Sequence, residues 1–96
     1  MDSGAALQEF LEYILSQLVE RPDQTSVSHE IGEDGKHVYR VRLAEEDVGR
    51  VIGRNGFTVS AIRSLMSAAG VRNGVKVGLK VFQWGESEDD GEEQVA

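Results

Sequence analysis

Gly53 and Gly56 bracket a cation and an amide, Arg54 and Asn55, directly after the apolar-basic run Val48, Gly49, Arg50, Val51 and Ile52. Glycine has no Cβ, so the chain can take positive φ at both positions and a second backbone can approach to van der Waals contact. A sugar-phosphate strand is a backbone that fits this chemistry. Arg54 offers a permanent charge with a forked donor set, and Asn55 adds a donor and an acceptor without charge. A helix starting after Gly56 would add unpaired N–H groups that favour an anion. Four such residues also make an ordinary glycine bend between two helices, so the flanking elements decide between the readings.

Those elements follow from periodicity. Leu7, Phe10, Leu11, Ile14, Leu15, Leu18 and Val19 recur at helical spacing, with Glu9, Glu12, Ser16 and Glu20 opposite, which predicts an amphipathic helix over residues 5–20 with Pro22 beyond its end. Two runs of β-formers, 27–31 and 38–43, flank Asp34 and Gly35, a hairpin signal. In the second run Tyr39, Val41 and Leu43 share one face while Arg40 and Arg42 take the other. Glu45, Glu46 and Asp47 stand where the first turn of a helix favours acids, and that helix runs to Ile52. Beyond the loop, Val59, Ile62, Leu65, Met66 and Ala69 form the inner stripe of a longer helix, with Gly70 as its expected C-terminal cap. Val75, Val77, Leu79 and Val81 alternate with Lys76, Gly78 and Lys80 as a half-buried strand. The predicted order is α-β-β-α-α-β: an α+β, two-layer domain over residues 5–84, its three-stranded mixed sheet covered on one face by three helices. Residues 1–4 are expected to be a disordered start and 85–96 an acidic, disordered tail.

The formal charge of -7 argues against a polyanionic partner until its distribution is considered. Six of the 17 acids, Glu86, Glu88, Asp89, Asp90, Glu92 and Glu93, fall in the last 12 positions, whereas residues 48–84 hold six bases and no acid. The potential around the glycine loop is therefore expected to be positive. The 96-residue chain has no cysteine, no apolar run near the roughly 20 residues of a membrane span and no basic signal-peptide start. A soluble cytoplasmic protein is expected, without membrane, metal or cofactor partners.

This order, with Val-Ile-Gly-Arg-Asn-Gly between the two central helices, resembles a type II KH domain, and residues 5–83 resemble the small bacterial single-KH proteins. The string from Asp47 to Gly56, followed by Thr58, Ala61, Ile62 and Arg63, carries the likeness. The resemblance implies binding of single-stranded RNA, a chaperone or regulatory role in a system linked to bacterial growth, cell shape and cell division, self-association as a homodimer, and pairing with a larger KH protein. Carried over, Gly53, Arg54, Asn55 and Gly56 match the phosphate-clamping loop, which holds about four nucleotides. Val48 and Ile52 match the apolar wall for bases; Arg50 and Arg63 add charge, and Val41 and Arg42 would close the groove. Asn55 replaces a second base common in the family, and the acidic tail lies outside the family pattern.

Two other classes compete. Ser60, Ala61, Ser64, Ser67 and Ala68 give the long helix a smooth, uncharged outer face that another backbone could approach, the basis for a dimerisation or protein-interaction module. An enzyme is not expected. His29 and His37 are the only histidines, no nucleophile-base signature is present, and Gly49, Gly53 and Gly56 fit neither the dinucleotide fingerprint nor the P-loop spacing.

Overall fold

The computed structural model describes residues 3–84 and 95–96. The order is α1 (Ser3–Ser16), a single 3₁₀ turn at Pro22–Gln24, β1 (Ser26–Ile31), β2 (His37–Leu43), α2 (Glu45–Ile52), α3 (Phe57–Arg72) and β3 (Val77–Gln83). The predicted α-β-β-α-α-β order is therefore the observed one. The expected tail lies outside the described residues from 85 to 94. No described helix is long and apolar enough to cross a membrane.

The sheet order is β1-β2-β3. β1 and β2 form an antiparallel hairpin with Val27 opposite Val41 and His29 opposite Tyr39. Gly35, at φ 82°, takes the positive-φ position of its turn. β3 lies parallel to β2, with Val41 opposite Val81. A parallel pair needs a crossover, and α2 and α3 supply it. Tyr39, Val41, Leu43, Leu79 and Val81 from the sheet meet Leu7, Leu11 and Leu15 of α1, Val51 of α2 and Val59, Ile62 and Met66 of α3 in one core.

α1 starts two residues earlier than predicted and ends four earlier. At its start Gly4 lies against the sheet: the Tyr39 hydroxyl donates to the Gly4 carbonyl at 2.9 Å, and a Cβ at Gly4 would meet His29 Cε1 at 2.5 Å. At its end the Ser16 hydroxyl bonds the Tyr13 carbonyl at 2.6 Å, a local alternative to helical pairing. The chain then turns through Leu18, whose N–H donates to Leu15 at 2.9 Å. Phe10, placed in the stripe by periodicity, flanks it and is 38% exposed. The buried line is Gly4, Leu7, Leu11 and Leu15.

α3 runs beyond Gly70, which is buried inside the helix and does not cap it. A Cβ there would lie 2.7 Å from Val77 Cγ2 and 2.8 Å from the Val75 carbonyl oxygen, so glycine is needed for close helix–strand packing. The left-handed residue after the helix is Gly74, at φ 74°. β3 starts at Val77 because the Val75 N–H is still tied to Gly70 O at 2.9 Å. Leu65 is half exposed, since Val59, Ile62, Met66 and Gly70 define the buried line. Phe82 is buried on the sheet face opposite the helices, with the Arg40 guanidinium 6.0 Å from its ring centroid, so that face is less wet than alternation alone implied.

Candidate nucleic-acid interface

α2 is eight residues long and buries Asp47 and Val51, leaving Val48 and Ile52 half-buried along its flank. It ends at Gly53, whose φ of 75° and ψ of 175° lie in a region that only glycine occupies readily. A Cβ on Gly53 would also overlap the Thr58 side chain and come within 2.9 Å of the Thr58 backbone nitrogen. Asn55 follows in the left-handed region at φ 56° and ψ 24°, and Gly56 at φ 76° and ψ 13°. Nothing lies within 4 Å of the place a Gly56 Cβ would take, so the loop is open on that side. Of the four loop residues, three thus hold positive φ.

Gly56 is also the N-cap of α3 and offers no side-chain cap, while the Phe57 N–H bonds the Arg54 carbonyl. A helix N-terminus of this kind favours an anion. Arg54 is exposed, and none of the described acids pairs with it. Arg63, a turn and a half further along α3, donates from Nη2 to the Leu79 carbonyl on the outer edge of β3 at 3.3 Å. A cleft of about 400 Å³ opens beside this contact, lined by Lys36, Arg63, Ser67 and Lys80 over Met66 and Leu79, and contains no acid.

Three expected site residues lie elsewhere. Val41 is only 1% exposed, within the core. Arg42 faces away from the helices, since the residues that alternate with it on β2 are buried under them. α2 packs against both β2 and β3, and of these two only β3 has an open edge, since β2 is paired on both sides. Sequence reasoning closed the groove with β2 because nothing local reveals that β2 is central. Arg50 faces the connector after α1, bonding Glu20 at 3.0 Å and Asp47 at 3.1 Å. Val48 and Ile52 run along α2 directly into the four loop residues, whereas Arg63 reaches β3 and the cleft beside it. Ser60, Ala61, Ser64, Ser67 and Ala68 are all exposed on α3, joined on the same helix by exposed Phe57, Leu65 and Val71.

Asp47 stands in the first turn of α2, as its sequence position predicts, and it also makes long-range bonds. Its carboxylate is fully buried and accepts from the Glu20 and Arg21 backbone N–H groups, each at 2.9 Å. Burial pushes this carboxyl up, but those two donors and the Arg50 guanidinium together outweigh it and hold it below the ordinary aspartate value. Asp47 thereby clips the α1–β1 connector to the helix that presents Val48 and Ile52. Its partners are 26 and 27 residues away, a separation without a local sequence signal.

The family described as "KhpA/KhpB, KH domain" matches residues 8–81. A chain named RNA-binding protein KhpA from Chlamydia caviae is 35% identical over 79 residues, covering 80% of this chain and 97% of its own length. Proteins of the same name from Thermotoga maritima and Streptomyces coelicolor are 44% identical over 62 residues and 41% identical over 73. The Thermotoga match covers 65% of this chain and 81% of the relative, and the Streptomyces match 76% and 90%. With the glycine loop held between α2 and α3 in an α-β-β-α-α-β order that ends on a parallel edge strand, the chain belongs to the KhpA/KhpB KH-domain family.

Proposed function

We propose that this protein is a non-enzymatic, cytoplasmic, single-stranded RNA-binding protein, an RNA chaperone or regulator, which grips about four nucleotides across α2, the glycine loop and the start of α3. The observation that carries this reading is the loop itself: positive φ at Gly53, Asn55 and Gly56, open space over Gly56, and an exposed Arg54 beside the uncapped N-terminus of α3. Phosphates lie over residues 53–56 and base faces rest on Val48 and Ile52, with Arg63 at the far side. The relatives' name, RNA-binding protein KhpA, supports the same ligand class. The proposed wall, Val48 and Ile52, is aliphatic and offers no ring for strong stacking. Affinity therefore rests on phosphates, at a Kd on the order of 10⁻⁴ to 10⁻⁶ M at physiological salt. Fluorescence anisotropy with a short single-stranded RNA across a salt series tests this. About three neutralised phosphates give a slope of log K against log salt near -2, whereas a flat dependence or no binding contradicts the reading.

A second, compatible reading is favoured by the outer face of α3. Phe57, Ala61, Ser64, Leu65, Ala68 and Val71 fall on one helical face, with Phe57, Leu65 and Val71 71%, 50% and 76% exposed. This face serves as a homodimer contact, or as the contact for a larger, KhpB-like KH partner. Ala61→Glu places a charge in its centre and converts a dimer to a monomer in sedimentation while the circular dichroism spectrum stays the same. An unchanged hydrodynamic size contradicts the assignment.

A further inference from the structure

β3 has β2 on one side only, so its other edge presents unpaired backbone groups. In a parallel ladder, alternate residues direct both N–H and C=O to the same side, which puts Leu79 and Val81 on a common edge if either faces outward. Both do. The Leu79 carbonyl accepts from Arg63. The Val81 carbonyl accepts from the Val95 N–H at 2.7 Å and, more weakly, from the Ala96 N–H at 3.4 Å, while the Val81 N–H donates to an Ala96 oxygen at 3.0 Å. Ala96 packs half-buried against the core. Residues from beyond the KH match therefore occupy the open edge of β3.

We infer that Val95 and Ala96 are a built-in competitor for the RNA groove, held by strand addition at Val81. The inference rests on the RNA-binding reading above. On that reading a single strand with its phosphates over residues 53–56 and its bases on Val48 and Ile52 runs between α2 and β3, because α2 packs against β2 and β3 and only β3 has an edge left open by the sheet. Its base edges then face the N–H and C=O of Val81, the groups that Val95 and Ala96 already use. Self-occupancy lowers the apparent affinity by the fraction of molecules whose edge is open. This competition is one of shape and hydrogen bonding. All six acids of the last 12 residues precede Val95, so removing residues 95 and 96 leaves them in place.

The test compares the full chain with a chain lacking residues 95 and 96, and with Val95→Pro, which keeps the length but deletes the donor to Val81. Anisotropy with a short single-stranded RNA and amide hydrogen exchange at Val81 are read on all three. Both variants should bind RNA about threefold to tenfold more tightly, at low and high salt alike, and exchange the Val81 amide faster. RNA added to the full chain should move the Val95 and Ala96 resonances toward those of an undocked peptide. Faster exchange at Val81 with unchanged affinity overturns the competition while leaving the RNA reading intact. Unchanged exchange overturns the docking. Failure of all three proteins to bind RNA overturns the RNA reading itself, and the competition with it.

Discussion

Asp47→Asn isolates the contact that holds α2 in place. The substitution is nearly isosteric, so its cost comes from hydrogen bonds and charge. Asp47 Oδ1 accepts from the Glu20 N–H at 2.9 Å and from Arg50 Nη1 at 3.1 Å, and Oδ2 accepts from the Arg21 N–H at 2.9 Å. An asparagine has one oxygen, so a buried backbone N–H is left facing an NH₂ group, at a cost of about 1–3 kcal/mol. The bond that survives becomes neutral and loses about 1 kcal/mol more. Relief of carboxylate burial offsets part of this, and Arg50, with a side chain 44% exposed, adds little. The sum is a loss of about 3 kcal/mol, which for a domain of this size lowers Tm by roughly 12–24 °C. Urea unfolding followed by circular dichroism measures it at pH 7. The pH dependence gives an independent sign. The folded-state pKa of Asp47 is depressed, so its stabilisation is complete above the unfolded-state value near 3.9 and is lost as pH falls through the lower folded value. The gap between wild type and variant should therefore be full at neutral pH and shrink as pH falls below about 4. A loss under about 1 kcal/mol, or a gap that does not change with pH, refutes the role assigned to this carboxylate.

The glycines give sharper contrasts. Gly53→Ala should lose about 2–4 kcal/mol in thermal unfolding, because it combines a glycine-only conformation with overlap onto Thr58. Gly56→Ala, left-handed but in open space, should lose only about 1 kcal/mol; equal losses at the two positions would contradict the loop geometry. Gly70→Ala replaces a mid-helix glycine, a change that ordinarily stabilises by about 0.5–1 kcal/mol, but here it should destabilise by about 1–3 kcal/mol because Val75 O and Val77 Cγ2 stand in the way. A gain in stability would show that the α3–β3 contact is looser than described.

The order of elements was legible because each has its own period: the 3.6-residue stripe of α1, the alternation of β2, and the Asp34-Gly35 turn between the hairpin strands. The loop was legible because Gly53 and Gly56 are needed by local backbone conformation, which sequence states directly. Long-range features were not. No local signal distinguishes a central strand from an edge strand, so the sequence does not reveal that Val41 lies buried on the middle strand of the sheet. Arg50 carries the same charge whether it meets a phosphate or Glu20, and only the fold brings Glu20 to it. Gly70 looked like a cap because glycine both ends helices and admits close neighbours, and choosing between those roles requires knowing that Val77 lies against it. The pairing of Val95 and Ala96 with Val81 likewise spans 14 or 15 positions and has no motif.

An NMR titration of the ¹⁵N-labelled chain with a short single-stranded RNA, run beside the Arg54→Asp, Asn55→Asp double variant, tests the central claim most directly. The account predicts shifts concentrated between residues 48 and 63 that the variant loses while the rest of its spectrum stays folded. Shifts that survive in the variant, or a wild-type spectrum left unchanged by RNA, would contradict it.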